Sequence, residues 1–228
     1  MKKIILVLVF SMFIYTSLQA QECSFYYPKA EGALLEYKNL DKKDKPTGTS
    51  TYKVKEFSEK ENSIKATIEY QSFDNKGKDL GKNEFIVKCE NGVYSVDMKS
   101  FLDAQTMEAY KDLQVDITSN NLEMPAGMNI GDELPEGKLI ISISSEGMTM
   151  MTMTTTISNR KVEAKEQITT EAGTFDCFKI TYTITTKSMI GMRFEAAQWF
   201  AEDIGSIKTE NYSKGNKISS TILTSIKK

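Results

Sequence analysis

The sequence contains no histidine, and it has only three cysteines and four prolines among its 228 residues. The absence of histidine excludes a Ser-His-Asp triad, a Cys-His pair and an imidazole zinc site, because each of these needs an imidazole. The chain also lacks a surplus of positive charge, since 29 Lys and Arg residues stand against 31 Asp and Glu residues. A dedicated nucleic-acid-binding protein carries a basic stripe, so we expect no nucleic-acid partner.

The carboxylates, which could still act as general acids and bases, are scattered along the chain. Asp132-Glu133 and Glu202-Asp203 are adjacent pairs. Neighbouring residues on a strand point to opposite faces of the sheet and do not converge on one bond. The chain contains neither a Walker-type phosphate loop nor a Cys-x-x-Cys motif. We therefore expect a protein that is not an enzyme and that uses no cofactor and no metal.

The first twenty residues have the pattern of a signal peptide. Lys2 and Lys3 precede an apolar stretch at 4–15, and the segment ends at Ala20, a small residue of the kind that a signal peptidase needs. The apolar stretch is shorter than the roughly 20 residues of a transmembrane helix. We expect cleavage after Ala20, a mature domain at 21–228 without a transmembrane segment, and a periplasmic or secreted location in a bacterial envelope.

The three cysteines would then lie in a compartment where thiols oxidise. Cys23, Cys89 and Cys177 allow one disulfide and one free thiol, and the sequence leaves all three pairings open. We expect a structural disulfide that ties the N-terminal tail to the sheet. Redox catalysis is disfavoured because the chain has no histidine that could activate a thiolate.

The dominant period from Gly32 onward is two. Apolar and polar residues alternate at 64–70 and 178–184, and turn residues such as Asn91-Gly92 and Lys214-Gly215-Asn216 separate the alternating segments. This pattern is typical of half-buried antiparallel strands that are joined by hairpins. It predicts a mostly β fold, with about a dozen strands in a single curved antiparallel sheet or half-barrel.

The mature chain is predicted to be one β-rich domain with two loosely related halves, at 32–118 and 138–228. One segment, 100–113, has apolar residues near helical spacing instead of alternation. Ser100 and Asp103 offer a capping box at its start. We expect one short helix here, which would lie as a lid over the open face of the sheet.

Methionine is the most unusual part of the composition, with twelve residues. Thioethers can bind Cu(I), can fill an irregular core, or can form an adaptable apolar surface. Consecutive Met150 and Met151 must point to opposite faces of a strand, which weakens the copper interpretation. From composition and strand parity, we expect the concave face of the sheet to be lined by Met148, Met150, Met153, Met189, Met192 and Trp199.

Several short motifs together resemble a family of uncharacterised secreted bacterial proteins, a domain of unknown function that is sometimes labelled TapB-like. The motifs are AGTFDCFKI at 172–180, WFA at 199–201, GSIK at 205–208, EG at 31–32, LEY at 35–37, KCENG at 88–92, VDM at 96–98 and NIGD at 129–132. The resemblance covers nearly the whole mature chain. It implies a fold similar to that of the lipoprotein carriers LolA and LolB, in which a curved antiparallel half-barrel holds acyl chains beneath helices.

Two functions remain open from the sequence. The first is a non-enzymatic envelope protein that binds a lipid, an acyl chain or another apolar ligand in a concave sheet, which requires mainly concavity and an apolar lining. The alternative is a structural or protein-interaction module that holds an envelope protein partner and has no small-molecule ligand. A large apolar hollow would favour the first function, and a packed core would favour the second.

Overall fold

The computed structural model of the protein describes residues 23–61, 63–102, 112–188 and 190–227. The predicted signal peptide at 1–20 therefore lies outside the described residues. The strands, in chain order, are β1 (Leu34–Asp41), β2 (Pro46–Lys60), β3 (Ser63–Asp74), β4 (Asp79–Glu90), β5 (Val93–Asp97), β6 (Gln114–Ser119), β7 (Asn121–Pro125), β8 (Glu133–Leu134), β9 (Gly137–Ser145), β10 (Met148–Thr170), β11 (Gly173–Lys187), β12 (Met192–Ala201), β13 (Gly205–Ser213) and β14 (Asn216–Lys227).

The fourteen strands of the described residues all belong to one sheet with the order β6-β9-β10-β11-β12-β13-β14-β1-β2-β3-β4-β5-β7, and β8 pairs beside this path with β10. Each strand pairing is antiparallel. The predicted mostly β fold, with a single curved antiparallel sheet, is thus confirmed. The sheet curves further than the half-barrel of the prediction and nearly closes into a barrel.

One stretch of chain supplies both ends of this sheet. Strand β6 pairs with β9 at one end, and β7 pairs with β5 at the other. Only Asn120 separates β6 from β7. Its amide donates to the carbonyl of Lys138, 3.1 Å away, and its carbonyl accepts from the amide of Met98 at 3.4 Å. The two ends of the sheet therefore meet at Asn120.

The alternation of apolar and polar residues produces the strands, because one face of each strand is buried and the other is more exposed. In β3 the side chains of Ile64, Ala66 and Ile68 are buried, and the residues between them are more exposed. Asn91 and Gly92 form the two-residue connection between β4 and β5 with φ values of 51° and 76°. Positive φ at both positions matches the right-handed twist of a hairpin, which explains why Asn-Gly occurs here.

A 3-10 helix (Met98–Phe101) occupies the start of the segment that was predicted to be a helical lid. Asp97 caps it by accepting from the amide of Lys99, and Leu102 already has extended backbone angles. The predicted α-helical start at Ser100 is therefore wrong, because a tight turn capped at Asp97 ends before an α-helix can begin. Residues 103–111 of the predicted helix lie outside the described residues.

The N-terminal segment fills one end of the barrel. A disulfide joins Cys23 to Cys89 of β4, with a Cα–Cα distance of 5.8 Å, so the structure selects one of the three pairings that the sequence leaves open. Phe25 and Tyr26 follow this bond and are almost fully buried. Their rings pack edge-to-face on Tyr94 at centroid distances of 5.8 and 5.3 Å. The disulfide thus anchors an aromatic segment inside the sheet.

Candidate functional site: an aromatic cavity inside the barrel

The curved sheet encloses a cavity of about 580 Å³ above the N-terminal segment. Its aromatic wall includes Tyr27, Tyr37, Tyr52, Tyr70, Tyr94 and Tyr182. Its aliphatic wall includes Met98, Leu122, Met124, Ile157, Ile180 and Ile184. The volume falls inside the range of roughly 300–1,000 Å³ that is usual for small-molecule sites, and so does the mixture of apolar walls with a few polar groups.

Tyr52 of β2 is the centre of the aromatic wall. Its ring contacts those of Tyr70, Tyr37, Tyr27 and Phe85, at centroid distances of 4.9, 5.3, 6.3 and 6.4 Å. The tilted and edge-on arrangements among these rings are those that aromatic quadrupoles favour. The rings come from the N-terminal segment, β1, β2, β3 and β4, and Tyr52 stands directly opposite Tyr70 in the pairing of β2 with β3.

Three hydroxyl groups of this wall, those of Tyr37, Tyr52 and Tyr182, remain protonated at neutral pH. Burial raises the pKa of Tyr37 and Tyr52 well above their ordinary value and raises the pKa of Tyr182 to about 12. Tyr37 donates to the carbonyl of Ser206 at 2.8 Å, and Tyr182 donates to Oε1 of Gln198 at 3.0 Å. The tyrosines thus present apolar ring faces whose polar ends are fixed by these bonds.

Arg160 of β10 brings a positive charge to the cavity. Its side chain is only 4% exposed. Its Nη1 donates to the carbonyl of Glu123 at 2.8 Å and to that of Pro135 at 2.6 Å. Burial lowers the pKa of Arg160 to about 10, against the weaker, raising influence of Tyr182 and Glu123. The guanidinium group therefore remains charged at neutral pH.

A β-bulge is the reason that Arg160 faces the interior. Ser158 pairs with Thr183 and Lys161 pairs with Thr181, so Asn159 and Arg160 together stand opposite Tyr182. Asn159 takes up the extra residue with a φ of 51°. Ile157 and Val162 are both buried, which shows that the inward parity of β10 changes from odd to even across the bulge.

The charged side chains that line the cavity all carry the same sign. They are Arg160 and Lys82, and no described residue of the lining is acidic. Lys82 bonds to Glu69 at 2.6 Å, with half of its side chain exposed. Arg160 forms no salt bridge within 4.0 Å among the described residues. The cavity therefore combines apolar walls with a buried cation.

Three of the methionines that were predicted to line the concave face lie at its outer rim. Met148, Met150 and Met192 are 70%, 68% and 54% exposed. They belong to the end of the sheet where the hairpins β9–β10 and β11–β12 turn, beyond the cavity. The structure thus places these three side chains largely in solvent and not in the cavity lining.

The other predicted residues that the structure describes do not line the cavity either. Met153 packs in a cluster that includes the cavity-lining Ile157 and Ile184 but is not itself part of the lining, and Met189 lies outside the described residues. Trp199 is buried on the opposite face of β12 from the cavity, with Nε1 donating to Oε1 of Glu166 at 2.6 Å. The cavity-lining residues of β12 are instead its neighbours, Gln198 and Phe200.

Sequence reasoning missed Arg160 and most of the tyrosines. Tyr70 and Tyr182 lie within the alternating segments at 64–70 and 178–184, so the strand pattern carried a signal for them. Arg160 carries no such signal, because its inward direction depends on the bulge at Asn159. The convergence of aromatic side chains on Tyr52 depends on the register between neighbouring strands, which places Tyr52 opposite Tyr70 and which alternation alone does not encode.

The remaining cysteine is buried outside the cavity. Cys177 is free and fully buried, and burial, with smaller effects from Asp176 and Glu166, raises the pKa of its thiol to about 11. Within the described ranges, no three His, Cys, Asp or Glu side chains are grouped to hold a metal ion. Nor does that part of the chain contain a helix long and apolar enough to cross a membrane.

Two solved structures share this architecture. One is an inferred exported protein with a YmcC-like fold from Bacteroides fragilis, with a TM-score of 0.73 and 23% identity over 90% of this chain and 100% of that chain. The other is an inferred lipoprotein from Parabacteroides distasonis, with a TM-score of 0.73 and 26% identity over 91% of this chain and 100% of that one. No curated protein matches the chain significantly in sequence. A family model described as DUF3108-like matches residues 30–223, which are most of the chain, and the protein therefore belongs to the DUF3108-like family.

Proposed function

We propose that the protein is an exported, non-enzymatic binder of an apolar ligand, a lipid or a single acyl chain, which it holds in the barrel interior. The observation that carries the proposal is the cavity of about 580 Å³ with its tyrosine and aliphatic walls. Protein interiors pack at close to crystal density and leave few voids larger than a water molecule. A hollow of this size inside an otherwise well-packed barrel is therefore best explained by a ligand.

The character of the walls defines the ligand class. Most of the cavity surface is contributed by rings and by aliphatic side chains such as Ile157, Ile180 and Ile184. Water in such a space finds few hydrogen-bond partners, so an apolar chain that displaces it gains free energy at roughly 25 cal/mol per Å² of buried apolar surface. The TapB-like resemblance and the expected similarity to LolA and LolB agree with this class of ligand.

The lining also supports binding without chemistry. Among the described residues around the cavity we find no cysteine, aspartate or glutamate beside the tyrosine hydroxyls. Tyr37 and Tyr182 keep their protons because burial raises their pKa, so they are poor general bases. The groups that face a ligand therefore fix its position and its orientation.

The disulfide supports a periplasmic or secreted location. A disulfide such as Cys23–Cys89 persists in oxidising compartments. The predicted export signal at 1–20 would direct the chain to such a compartment. The Sγ atom of Cys23 is bonded to that of Cys89 and is not free to form a thioether with a lipid anchor. Export with removal of the signal peptide, rather than lipidation at Cys23, is thus part of the proposal.

The test is native mass spectrometry of the mature protein after gentle purification from the periplasm, followed by solvent extraction and lipid identification. We expect a bound mass of one lipid per chain that disappears on extraction. The delipidated protein should then bind a fluorescent fatty acid saturably, at one molecule per chain. An unliganded mass together with absence of binding across several lipid classes would reject the proposal.

A second function, as a protein-interaction module of the envelope, is favoured by one observation. Met148, Met150, Ile190 and Met192 lie on neighbouring hairpin ends and are 54% to 78% exposed. Exposed apolar side chains grouped in this way are typical of protein contacts. This alternative predicts that a defined envelope protein is crosslinked at these hairpin ends, and that replacing the four residues by serine abolishes the crosslink.

A further inference from the structure

The charge of the cavity specifies the ligand beyond its apolar chain. We infer that the ligand carries an anionic head group and that Arg160 binds it inside the barrel. This inference rests on the proposed function and adds the chemical class of the head group. The ligand class is an acyl chain that ends in a carboxylate or a phosphate, since both present paired oxygens to a guanidinium group.

The charged side chains of the cavity lining are all positive. Arg160 and Lys82 line the cavity, and none of its described lining residues is acidic. The whole chain has a formal net charge of −2, so this local sign is the opposite of the overall one. A neutral hydrocarbon would give no reason to place a buried cation on an otherwise apolar wall, where desolvation of the charge is unfavourable.

The hydrogen bonds of the Arg160 guanidinium group leave some of its donors available. Among the described residues, both hydrogen bonds of this group leave from Nη1, and both acceptors are backbone carbonyls, those of Glu123 and Pro135. These bonds hold the side chain in place without neutralising it. A guanidinium group has five N–H donors, so donors remain on Nε and Nη2 for a bidentate interaction with an anion.

The backbone next to Arg160 forms the β-bulge that directs its side chain. The bulge at Asn159 exists at the cost of a residue with positive φ, and its effect is to turn Arg160 toward the cavity. Bulges that redirect one side chain occur at sites where that direction has a function. Lys82 does not have this arrangement, because Glu69 already pairs with it and half of its side chain lies in solvent.

The orientation of the ligand follows from these positions. The head group lies at Arg160, beside Tyr182, whose ring is directly opposite across the bulge. Ile180 and Ile184 flank Tyr182 on either side along β11 and line the same cavity. The acyl chain therefore lies inside the cavity between these aliphatic residues and the aromatic wall.

The first experiment uses the unmodified mature protein and two probes that differ only in the head group. Hexadecanoic acid and hexadecan-1-ol compete for the fluorescent fatty acid at neutral pH. We expect the acid to bind at least tenfold more tightly, because a charged hydrogen-bonded pair replaces a neutral contact. Equal affinities would exclude a carboxylate head group and leave the proposed function intact, whereas binding of neither probe would reject the proposed function itself.

The source of the anion is tested with a second pair, lysophosphatidate and a monoacylglycerol of the same chain length. Preference for lysophosphatidate alone assigns a phosphate head group, and preference for hexadecanoic acid alone assigns a carboxylate. Either preference supports an anionic ligand at Arg160. Absence of preference in both pairs contradicts it.

The second experiment uses variants. Arg160→Met should reduce the preference for the acid to about twofold or less while affinity for hexadecan-1-ol is kept, and Arg160→Lys should retain part of the preference. Arg193→Met is the matched control, because it removes the same charge from an exposed position. If Arg160→Met does not fold, Arg160→Lys and the two wild-type probe pairs still decide the question. A full preference in folded Arg160→Met would refute the role of Arg160.

Discussion

Asn120 bonds to Lys138 through both its backbone and its side chain. The amide of Asn120 donates to the carbonyl of Lys138 at 3.1 Å, and the amide of Lys138 donates back to Oδ1 of Asn120. Nδ2 of Asn120 donates in addition to the carbonyl of Glu136 at 3.0 Å. Since Asn120 is the residue between β6 and β7, these bonds hold the meeting point of the two sheet ends.

Replacement of Asn120 by alanine should loosen this closure. The variant loses the two side-chain hydrogen bonds and keeps those of the backbone, so we expect the free energy of unfolding to fall by about 1 kcal/mol. The measurements are urea unfolding and hydrogen exchange at the Lys138 amide, which should become faster. Asn121→Ala, an exposed neighbour, is the control. Unchanged protection at Lys138 in Asn120→Ala would contradict this account of closure.

The Cys23–Cys89 disulfide should be a major source of stability. It links residues 66 positions apart, for which loop entropy gives about 4 kcal/mol in the unfolded chain. We expect the double variant Cys23→Ala/Cys89→Ala to lose stability of this order in urea unfolding and to release Phe25 and Tyr26 from the end of the barrel. Cys177→Ala, which removes one buried sulfur, should cost about 1 kcal/mol. Equal stability of the double variant and the wild type would refute the predicted contribution.

The sequence was sufficient for the strands and for their turns. Ile64, Ala66 and Ile68 have the predicted inward direction, and Asn91-Gly92 makes the predicted hairpin. These features are local, because period two fixes the face of each residue and positive φ selects asparagine and glycine. The alternating residues of β11 also proved to line the cavity.

Prediction of the inward face from strand alternation fails at β-bulges. Each bulge adds one residue and reverses the parity that follows, so Arg160 faces inward although a regular β10 would turn it away. In β14 the pairing with β1 shifts at Glu36/Tyr37 and the pairing with β13 shifts at Asn211/Tyr212, and along this strand Leu223 is buried while Ile218 is 43% exposed. No sequence pattern announces these shifts, because they depend on how the neighbouring strands curve.

Stability should fall steeply in alkali. Burial raises the pKa of Tyr26, Tyr37 and Tyr94 above the ordinary value of 10.0. Above that pH the unfolded chain loses protons that the folded chain keeps. The free energy of unfolding therefore decreases by about 1.4 kcal/mol per pH unit for each such tyrosine until its folded pKa is reached.

Arg160 acts in the opposite direction over the same range. Burial lowers its pKa to about 10, so above that pH the folded protein has released a proton that the unfolded chain retains, and stability rises with a similar slope. One arginine is outweighed by several tyrosines. Urea unfolding between pH 9 and pH 11, with tyrosinate absorbance as a second signal, should show the net loss. Tyr94→Phe should shift the loss to higher pH, and an identical pH profile would contradict the assignment.

A tryptophan placed inside the cavity should compete with the ligand. Ile184 lines the cavity wall on β11, and Ile184→Trp extends an indole into the hollow space that the acyl chain would occupy. Because the space is already empty of protein atoms, the larger side chain adds apolar contact and should leave the melting temperature within a few degrees of the wild type. Affinity for the fluorescent fatty acid should fall at least tenfold.

The matched control is Ile190→Trp, which makes the same substitution at a residue that is 78% exposed and outside the cavity lining. It should bind the fatty acid as the wild type does. If instead Ile184→Trp binds normally and Ile190→Trp does not, the apolar ligand docks on the exposed hairpin ends and not inside the barrel. Because both variants replace isoleucine by tryptophan, one binding measurement on the pair distinguishes an interior site from a surface site.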